Sequence, residues 1–124
     1  IGTSTASWHQ TNSLIHDRRS HRFPFEQKMC MVGLNENLIP ETPPVLVHGR
    51  DISVDGISLR HQQPIASKFI AVTYESATGL DSLIVKLSWC RFGLDGQYVS
   101  GGRFVREAPV PAQLVKHWDE LKEA

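Results

Sequence analysis

Residues 45–60, VLVHGRDISVDGISLR, contain two short strands joined by a tight turn. The earlier strand of this pair covers Val45–Ser53. Asp55-Gly56 is a turn signal, because both residue types tolerate the backbone angles of tight turns. Ile57–Arg60 then alternates apolar and polar side chains, which predicts a half-buried strand. The stretch therefore indicates antiparallel β-structure built from short strands.

Four more segments have the pattern of strands. Pro24 biases Phe23 toward extended backbone, so the first strand is expected to begin there and to continue to Val32. The remaining strands are predicted at Ser67–Glu75, Ser82–Phe92 and Tyr98–Val105.

Two of these strands allow finer predictions. Gly101-Gly102 lies inside the last strand and predicts a bulge or a sharp bend. In the strand before it, apolar side chains recur with period two and are expected to share one face: Leu83, Val85, Leu87 and Trp89.

A helix is predicted at the end of the chain. Pro111 suits a first helical turn, and Pro111–Ala124 contains apolar residues at helical spacing. The expected apolar face consists of Leu114, Val115, Trp118 and Leu121. Six short strands followed by one amphipathic helix predict a mainly β fold, a six-stranded antiparallel β-barrel with a C-terminal α-helix.

The composition is that of an ordinary globular domain with no overall charge. The chain has 124 residues, and its 13 basic residues balance its 13 acidic ones. This length predicts one domain whose core is large enough to fold without disulfides. Zero net charge argues against long-range attraction to a nucleic-acid polymer or an acidic membrane, so an anion site has to be a local cluster. No apolar run is long enough to span a membrane, and the segment from Ile1 does not resemble a signal peptide.

The two cysteines, Cys30 and Cys90, both lie in apolar, strand-like segments. Two buried free thiols are expected, and a disulfide stays open if the two strands are neighbours. No Cys-x-x-Cys pair accompanies them, so no metal site is predicted.

A cluster of positive charge precedes the first strand. Arg18, Arg19 and Arg22 lie within five residues. Guanidinium groups match phosphate oxygens and the edge of guanine with two hydrogen bonds at once, and they stack on purines. A solvated charged linker is the plainer interpretation of such a segment.

A second polar motif is Asp51-x-Ser53-x-x-Gly56. Asp51 can accept hydrogen bonds from the N1–H and N2–H₂ groups of guanine, Ser53 supplies a short donor and acceptor, and Gly56 permits a positive φ and a close approach. An ordinary hairpin turn, with Asp51 and Ser53 bonded to their own backbone, is the alternative interpretation.

In this order, the two motifs resemble those of the PilZ domain family, whose members bind the bacterial second messenger cyclic di-GMP. That family has Arg-x-x-x-Arg before its first strand, matched by Arg18 and Arg22, and then Asp/Asn-x-Ser-x-x-Gly, matched by Asp51, Ser53 and Gly56. The late hairpin, which contains a Trp-Cys-Arg sequence and then Gly-Arg-Phe, is similar to that of the family and gives supporting evidence.

The resemblance implies a PilZ-type barrel domain over residues 17–124, preceded by a flexible lead-in at residues 1–16. It implies that cyclic di-GMP, the ligand, binds across the outside of the barrel, and that no other cofactor or metal is needed. Arg18 and Arg22 would clamp phosphate and guanine, with Arg19 as a further phosphate contact. Asp51 and Ser53 would hold a guanine edge, and Gly56 would allow close approach.

The same resemblance implies a cytoplasmic receptor rather than an enzyme. No nucleophile with an attendant base is evident in the sequence. Asp17 next to the arginines would repel a second dianion, which favours one ligand per chain. A protein effector and a homodimer are the further partners considered.

Two alternatives differ in class. The first is a PilZ-like interaction module that binds a protein and does not respond to nucleotide, although such modules usually lack the arginine motif. The second is a small barrel that binds RNA or single-stranded DNA, which the neutral charge and the lack of interleaved surface aromatics disfavour.

Overall fold

The computed structural model of the chain describes residues 21–123. The lead-in predicted for residues 1–16, and with it Arg18 and Arg19, lies outside the described residues. The described part contains seven strands and one helix: β1 Phe23–Pro24, β2 Lys28–Leu34, β3 Val45–Ile52, β4 Gly56–His61, β5 Phe69–Ser76, β6 Gly79–Phe92, β7 Tyr98–Ala108 and α1 Ala112–Lys122.

Six of the strands close into an antiparallel barrel. The order is β3, β2, β5, β6, β7 and β4, and β4 pairs back onto β3. A closed sheet has no long free edge along its circumference, which removes most of the unpaired backbone groups of a small sheet. The six-stranded antiparallel barrel with a C-terminal helix is therefore confirmed.

The first predicted strand is two strands in the structure, because the chain bulges at residues 25–27. Both β1 and β2 pair with the same edge of β3, but the register shifts by one residue between Pro24↔Asp51 and Lys28↔His48. The bulged backbone comes so close to Gly49 that a Cβ there would collide with the Phe25 carbonyl oxygen. The bulge leaves β1 paired with the end of β3 that carries Asp51.

A second bulge lies in β6 at Ser88. Leu87 pairs with Gly102 of β7 and Trp89 pairs with Gly101, so one residue of β6 is left without a partner. The bulge predicted from Gly101 and Gly102 on β7 is present, but the extra residue is Ser88 on β6. Because the bulge reverses the alternation, Trp89 does not share the face of Leu83, Val85 and Leu87, and that expectation is wrong.

The barrel interior is filled by aliphatic and methionine side chains. Leu83, Leu87 and Phe104 pack at its margin. The fully buried members are Met29, Met31, Val47, Ile57, Leu59, Ile70, Val72 and Val85. Burial of this apolar surface is the main force that closes the barrel.

Helix α1 packs on the outside of the barrel against Cys30. Leu114 and Trp118 are buried there, four residues apart on one helical face. The Trp118 indole Nε1 donates a hydrogen bond to Glu75 Oε1 at 2.6 Å, which ties the helix to β5. Val115 is 58% exposed, so its predicted place on the apolar face is wrong. No helix in the described part of the chain is long and apolar enough to cross a membrane.

The two cysteines lie in different environments and both are free thiols. Cys30 is buried under α1, and burial raises its pKa. Cys90 is exposed, because it lies on β6 beyond the last residue that pairs with β5. The expectation of two buried thiols is confirmed for Cys30 and wrong for Cys90.

Replacing Leu114 and its neighbour Val115 separately by alanine tests the docked face of α1. We expect Leu114→Ala to lower the free energy of unfolding by about 2–4 kcal/mol, because a fully buried side chain is lost and a cavity remains. Val115→Ala should change it by less than about 0.5 kcal/mol, since that side chain is mostly in water. Urea unfolding followed by circular dichroism measures both, and equal losses would contradict the observed orientation of the helix.

Candidate functional site

The centre of the candidate site is the Asp51 carboxylate, near the end of β3. Arg22 lies directly before β1, and the pairing of β1 with β3 brings its Nε to 2.5 Å from Asp51 Oδ1. Ser58, buried on β4, donates its hydroxyl hydrogen to the same oxygen at 2.8 Å. Arg50 Nη1 donates to Oδ2 at 3.2 Å. Two residues of the predicted site, 29 positions apart in sequence, therefore form an ion pair.

The environment of Asp51 favours its ionised form. Burial alone raises the pKa of this carboxyl, but hydrogen bonds from Arg22 and Ser58 and the positive charges of Arg22 and Arg50 outweigh it. The net result is a pKa below the ordinary value. Asp51 is thus negatively charged at neutral pH and acts only as a hydrogen-bond acceptor.

The turn after β3 is closed by Ser53. Its Oγ accepts hydrogen bonds from the backbone N–H groups of Asp55 and Gly56, each at 3.3 Å, and the side chain is buried. Ser53 N–H also donates to the Gly56 carbonyl at 2.9 Å. The hydroxyl that the sequence assigns to a ligand is therefore bonded within its own turn, as the simpler interpretation of this motif predicts.

Gly56 is needed for a different reason from the one expected. Among the described residues, the glycines with positive φ are Gly79 and Gly96, so Gly56 does not adopt the positive φ that a glycine permits. Instead, β7 passes so close that a Cβ on Gly56 would collide with the Gly102 carbonyl oxygen. The group that approaches Gly56 closely belongs to the neighbouring strand β7.

Beside this turn is an open cavity of about 210 Å³ on the outside of the barrel. It combines predicted site residues with side chains from β6 and β7. The lining residues are Arg22, Ser53, Asp55, Gly56, Ser88, Trp89, Gly102 and Arg103. This volume is below that of pockets that enclose a ligand, so a dinucleotide would lie across it with only a part inserted.

Trp89 is the main residue of this cavity that sequence reasoning missed. Its indole ring lies across β7 in the space where a Cβ of Gly101 would be. The ring is 38% exposed, and the Arg91 guanidinium carbon lies 5.1 Å from its centroid. A tryptophan face beside a guanidinium can stack on a nucleobase. The signal available in the sequence was Gly101-Gly102, which both predicts the bulge and leaves room for a large ring.

Chemically, the cavity offers two cations, one aromatic surface and one carboxylate. Arg22 ahead of β1 and Arg103 on β7 provide the cations, Trp89 provides the aromatic surface and Asp55 the carboxylate. Such a set can bind an anion that also carries a planar ring. Within residues 21–123 no group of three His, Cys, Asp or Glu side chains is arranged to bind a metal ion.

A larger cavity, of about 600 Å³, lies between β3 and the loop that follows β4. Its lining includes Leu46, His48, Arg60 and Ile65, but none of the predicted site residues. As a ligand site, the larger cavity is favoured by its size. The smaller cavity is favoured by the ion pair, the turn and the aromatic surface beside it. The candidate site is assigned to the smaller cavity by its chemistry, because a shallow surface site does not require an enclosed volume.

Comparisons with known proteins support the fold through structure rather than sequence. No protein-family model matches the chain, and no curated protein matches it. Among solved structures, K. pneumonia MrkH in its apo state is 15% identical over 81% of this chain and 47% of its own, with a TM-score of 0.49. The Borreliella burgdorferi PlzA protein in complex with c-di-GMP is 11% identical over 93% of this chain and 54% of its own, with a TM-score of 0.52.

The likeness to PlzA concerns the fold, a closed six-stranded barrel followed by a helix. The chain thus has the PilZ-like fold that its motifs predict. It spans about half the length of the two solved structures it resembles.

The ionised state of Asp51 predicts a pH dependence. Because the folded pKa is below the unfolded one, the stabilisation by Asp51 is complete above the ordinary carboxyl pKa of 3.8 and is lost as pH falls through the folded pKa. Asp51→Asn has no such charge, so its free energy of unfolding should approach that of the wild type as pH falls from 7 to 3. Urea titrations at each pH measure the difference, and a difference that stays constant would contradict the ion pair.

Replacing Gly56 and Gly33 separately by alanine tests the structural reason for the motif glycine. Gly56→Ala should lower the free energy of unfolding by about 1–3 kcal/mol, because the new methyl group meets the Gly102 carbonyl of a paired strand. At Gly33, also buried in a strand, the new methyl group meets the Ser67 hydroxyl, a side chain that can rotate. Gly33→Ala should therefore cost less, and thermal unfolding would refute the explanation if it cost as much.

Proposed function

We propose that this domain is a receptor for cyclic di-GMP, which binds the dinucleotide on the outside of the barrel without catalysing a reaction. The observation that carries the proposal is the ion pair between Arg22 and Asp51. It lies beside the cavity lined by Trp89 and Arg103. The ligand contains two guanines and two phosphates, and this surface offers a partner for each kind of group. A protein with the same fold, PlzA, has been solved in complex with c-di-GMP, which supports the choice of ligand.

Binding requires Arg22 and Asp51 to exchange partners. A carboxylate has about four acceptor positions, and the guanine edge uses one on each oxygen. Asp51 Oδ1 already accepts from Arg22 and Ser58, while Oδ2 accepts from Arg50. Arg22 therefore has to leave Oδ1 before Asp51 can hold both N1–H and N2–H₂ of a guanine, and its guanidinium then becomes available for a ligand phosphate.

This exchange is energetically accessible. The Arg22 side chain is 42% exposed, and ion pairs at such positions contribute between zero and about 1 kcal/mol. Bonds from guanine to an ionised carboxylate and from an arginine to phosphate are of the stronger, charge-assisted kind. The ion pair of the free protein thus orients both residues without preventing ligand binding.

Trp89 and Arg103 complete the proposed site. Trp89 stacks on one guanine, and Arg103 on β7, which lines the same cavity as Arg22, binds a phosphate. Ser53 shapes the turn rather than contacting the ligand strongly, since its hydroxyl is bonded to Asp55 and Gly56. Gly56 acts in the same way, through the fit between two strands.

The remaining parts of the proposal rest on the resemblance in sequence. Arg18 and Arg19 follow Arg22 onto the ligand as further phosphate contacts, and the repositioned arginine segment relays binding to the rest of the protein. Asp17 favours one ligand molecule per chain. The ligand implies a cytoplasmic location.

Isothermal titration calorimetry of this chain with cyclic di-GMP, and with GMP as the control nucleotide, tests the proposal. We expect micromolar or tighter binding, selective over GMP, with one ligand per chain. Absence of heat together with absence of a thermal shift at high ligand concentration would refute the receptor function. The PilZ-like module that binds a protein partner irrespective of nucleotide would then be the better hypothesis.

Single substitutions test the assigned residues. Arg22→Ala and Asp51→Ala should abolish binding, and Trp89→Ala should weaken it by about tenfold, the usual effect of losing one stacked base. Arg106→Ala removes an exposed arginine of the same strand as Arg103, outside the cavity, and should leave the affinity unchanged. Circular dichroism checks that each variant is folded. Full affinity in both Arg22→Ala and Asp51→Ala would refute the site.

A further inference from the structure

Strand β6 extends beyond its partner β5. The last pair between them is Phe69↔Lys86, and Leu87 N–H donates to the Lys68 carbonyl just beyond it. Residues 88–92 continue the strand and are all exposed; Trp89 to Phe92 pair with β7 alone, and Ser88 is the bulged residue without a partner. Within residues 21–123, no strand pairs with the other side of this segment. We call it the open edge of β6.

The hydrogen-bonding direction of each residue in the open edge follows from the ladder. Gly93 N–H donates to the Gln97 carbonyl at 2.7 Å, so position 93 faces β7. Backbone groups alternate between the two sides of a strand, so Arg91 and Trp89 also face β7. The N–H and C=O groups of Cys90 and Phe92 therefore point away from the barrel, toward solvent.

We propose that two copies of this chain pair through the open edge of β6, antiparallel, about a two-fold axis at Cys90. Unpaired backbone groups on an exposed strand are a template for another strand, and proteins that avoid such pairing place lysine, proline or inward charges there. Here the only charged side chain is Arg91, and its guanidinium lies over the ring of Trp89. Phe92 is 65% exposed next to it.

The proposed partner of the open edge is a second copy of this chain, because two such edges complement each other when Cys90 pairs with Cys90. With Cys90 opposite Cys90 of the second copy, the two outward-facing residues exchange a pair of N–H···O bonds, and Arg91 lies opposite Trp89 of the second copy, a cation–π pair. Shifting the axis to position 91 places two arginines opposite each other, which is unfavourable. The first register is therefore preferred.

This pairing gives a concrete form to the homodimer considered from the sequence. A short edge buries little surface, so a reversible dimer with a Kd on the order of 10–100 µM is expected. In the favoured register the two Cys90 residues form a hydrogen-bonded pair. Their Cα atoms would be about 5.5 Å apart, within the range that a disulfide bridges.

Sedimentation of the full chain over a concentration series, with two substitutions of Cys90, tests the proposal. Cys90→Pro removes the outward N–H without touching the β7 ladder, and it should weaken dimerisation at least about tenfold, as expected for two lost hydrogen bonds. Cys90→Ser keeps the N–H and should dimerise like the wild type. A wild-type chain that stays monomeric, or a Cys90→Pro dimer of unchanged affinity, would overturn the proposal.

Cross-linking provides a second measurement should Cys90→Pro fail to fold. Diamide takes up the two thiol hydrogens as one disulfide forms, and in the favoured register it should convert wild-type chains to a covalent dimer that dithiothreitol reverses. Cys30→Ser should cross-link equally well, because Cys30 is buried and takes no part. A dimer seen by sedimentation that diamide does not link would place the interface elsewhere and overturn the proposal.

Discussion

The Asp51 carboxylate connects three segments of the chain, and the candidate site depends on it. It accepts from Arg22 ahead of β1, from Arg50 on its own strand and from Ser58 on β4. A partly buried carboxylate is stable only when its acceptor positions are satisfied, and here cations and a hydroxyl satisfy them. The same bonds that remove the cost of burying the charge hold Arg22 close to Asp51. In the proposed function, the ion pair of the free protein and the ligand would compete for this one side chain.

Two local irregularities in the strands shape the candidate site. The bulge at residues 25–27 leaves β1 in register with the end of β3, which places Arg22 beside Asp51. The bulge at Ser88 turns Trp89 outward, over Gly101 and into the cavity. Bulges next to functional sites commonly redirect a side chain in this manner.

Much of the fold could be predicted from local patterns, because alternation, turn residues and helical spacing are properties of neighbouring residues. The barrel strands and the helix are found where these patterns place them. Trp89 and Val115 were placed on the wrong face, since a bulge and the tilt of a docked helix depend on distant contacts. The meeting of Arg22 and Asp51 was anticipated only through a family resemblance. The outward position of Trp89 could not be predicted from local pattern, because strict alternation points its ring inward.

The contact between Gly56 and Gly102 has a consequence for how such a sequence can change during evolution. Here the paired strands β4 and β7 approach each other backbone to backbone, with no side chain between them. Core positions such as Ile70 or Val72 tolerate exchange for other apolar residues of similar volume, because neighbouring side chains can repack. A carbonyl oxygen cannot repack. Selection for the fold is then concentrated on a few positions without a side chain, and two lineages can keep the same barrel while few of their other residues remain identical.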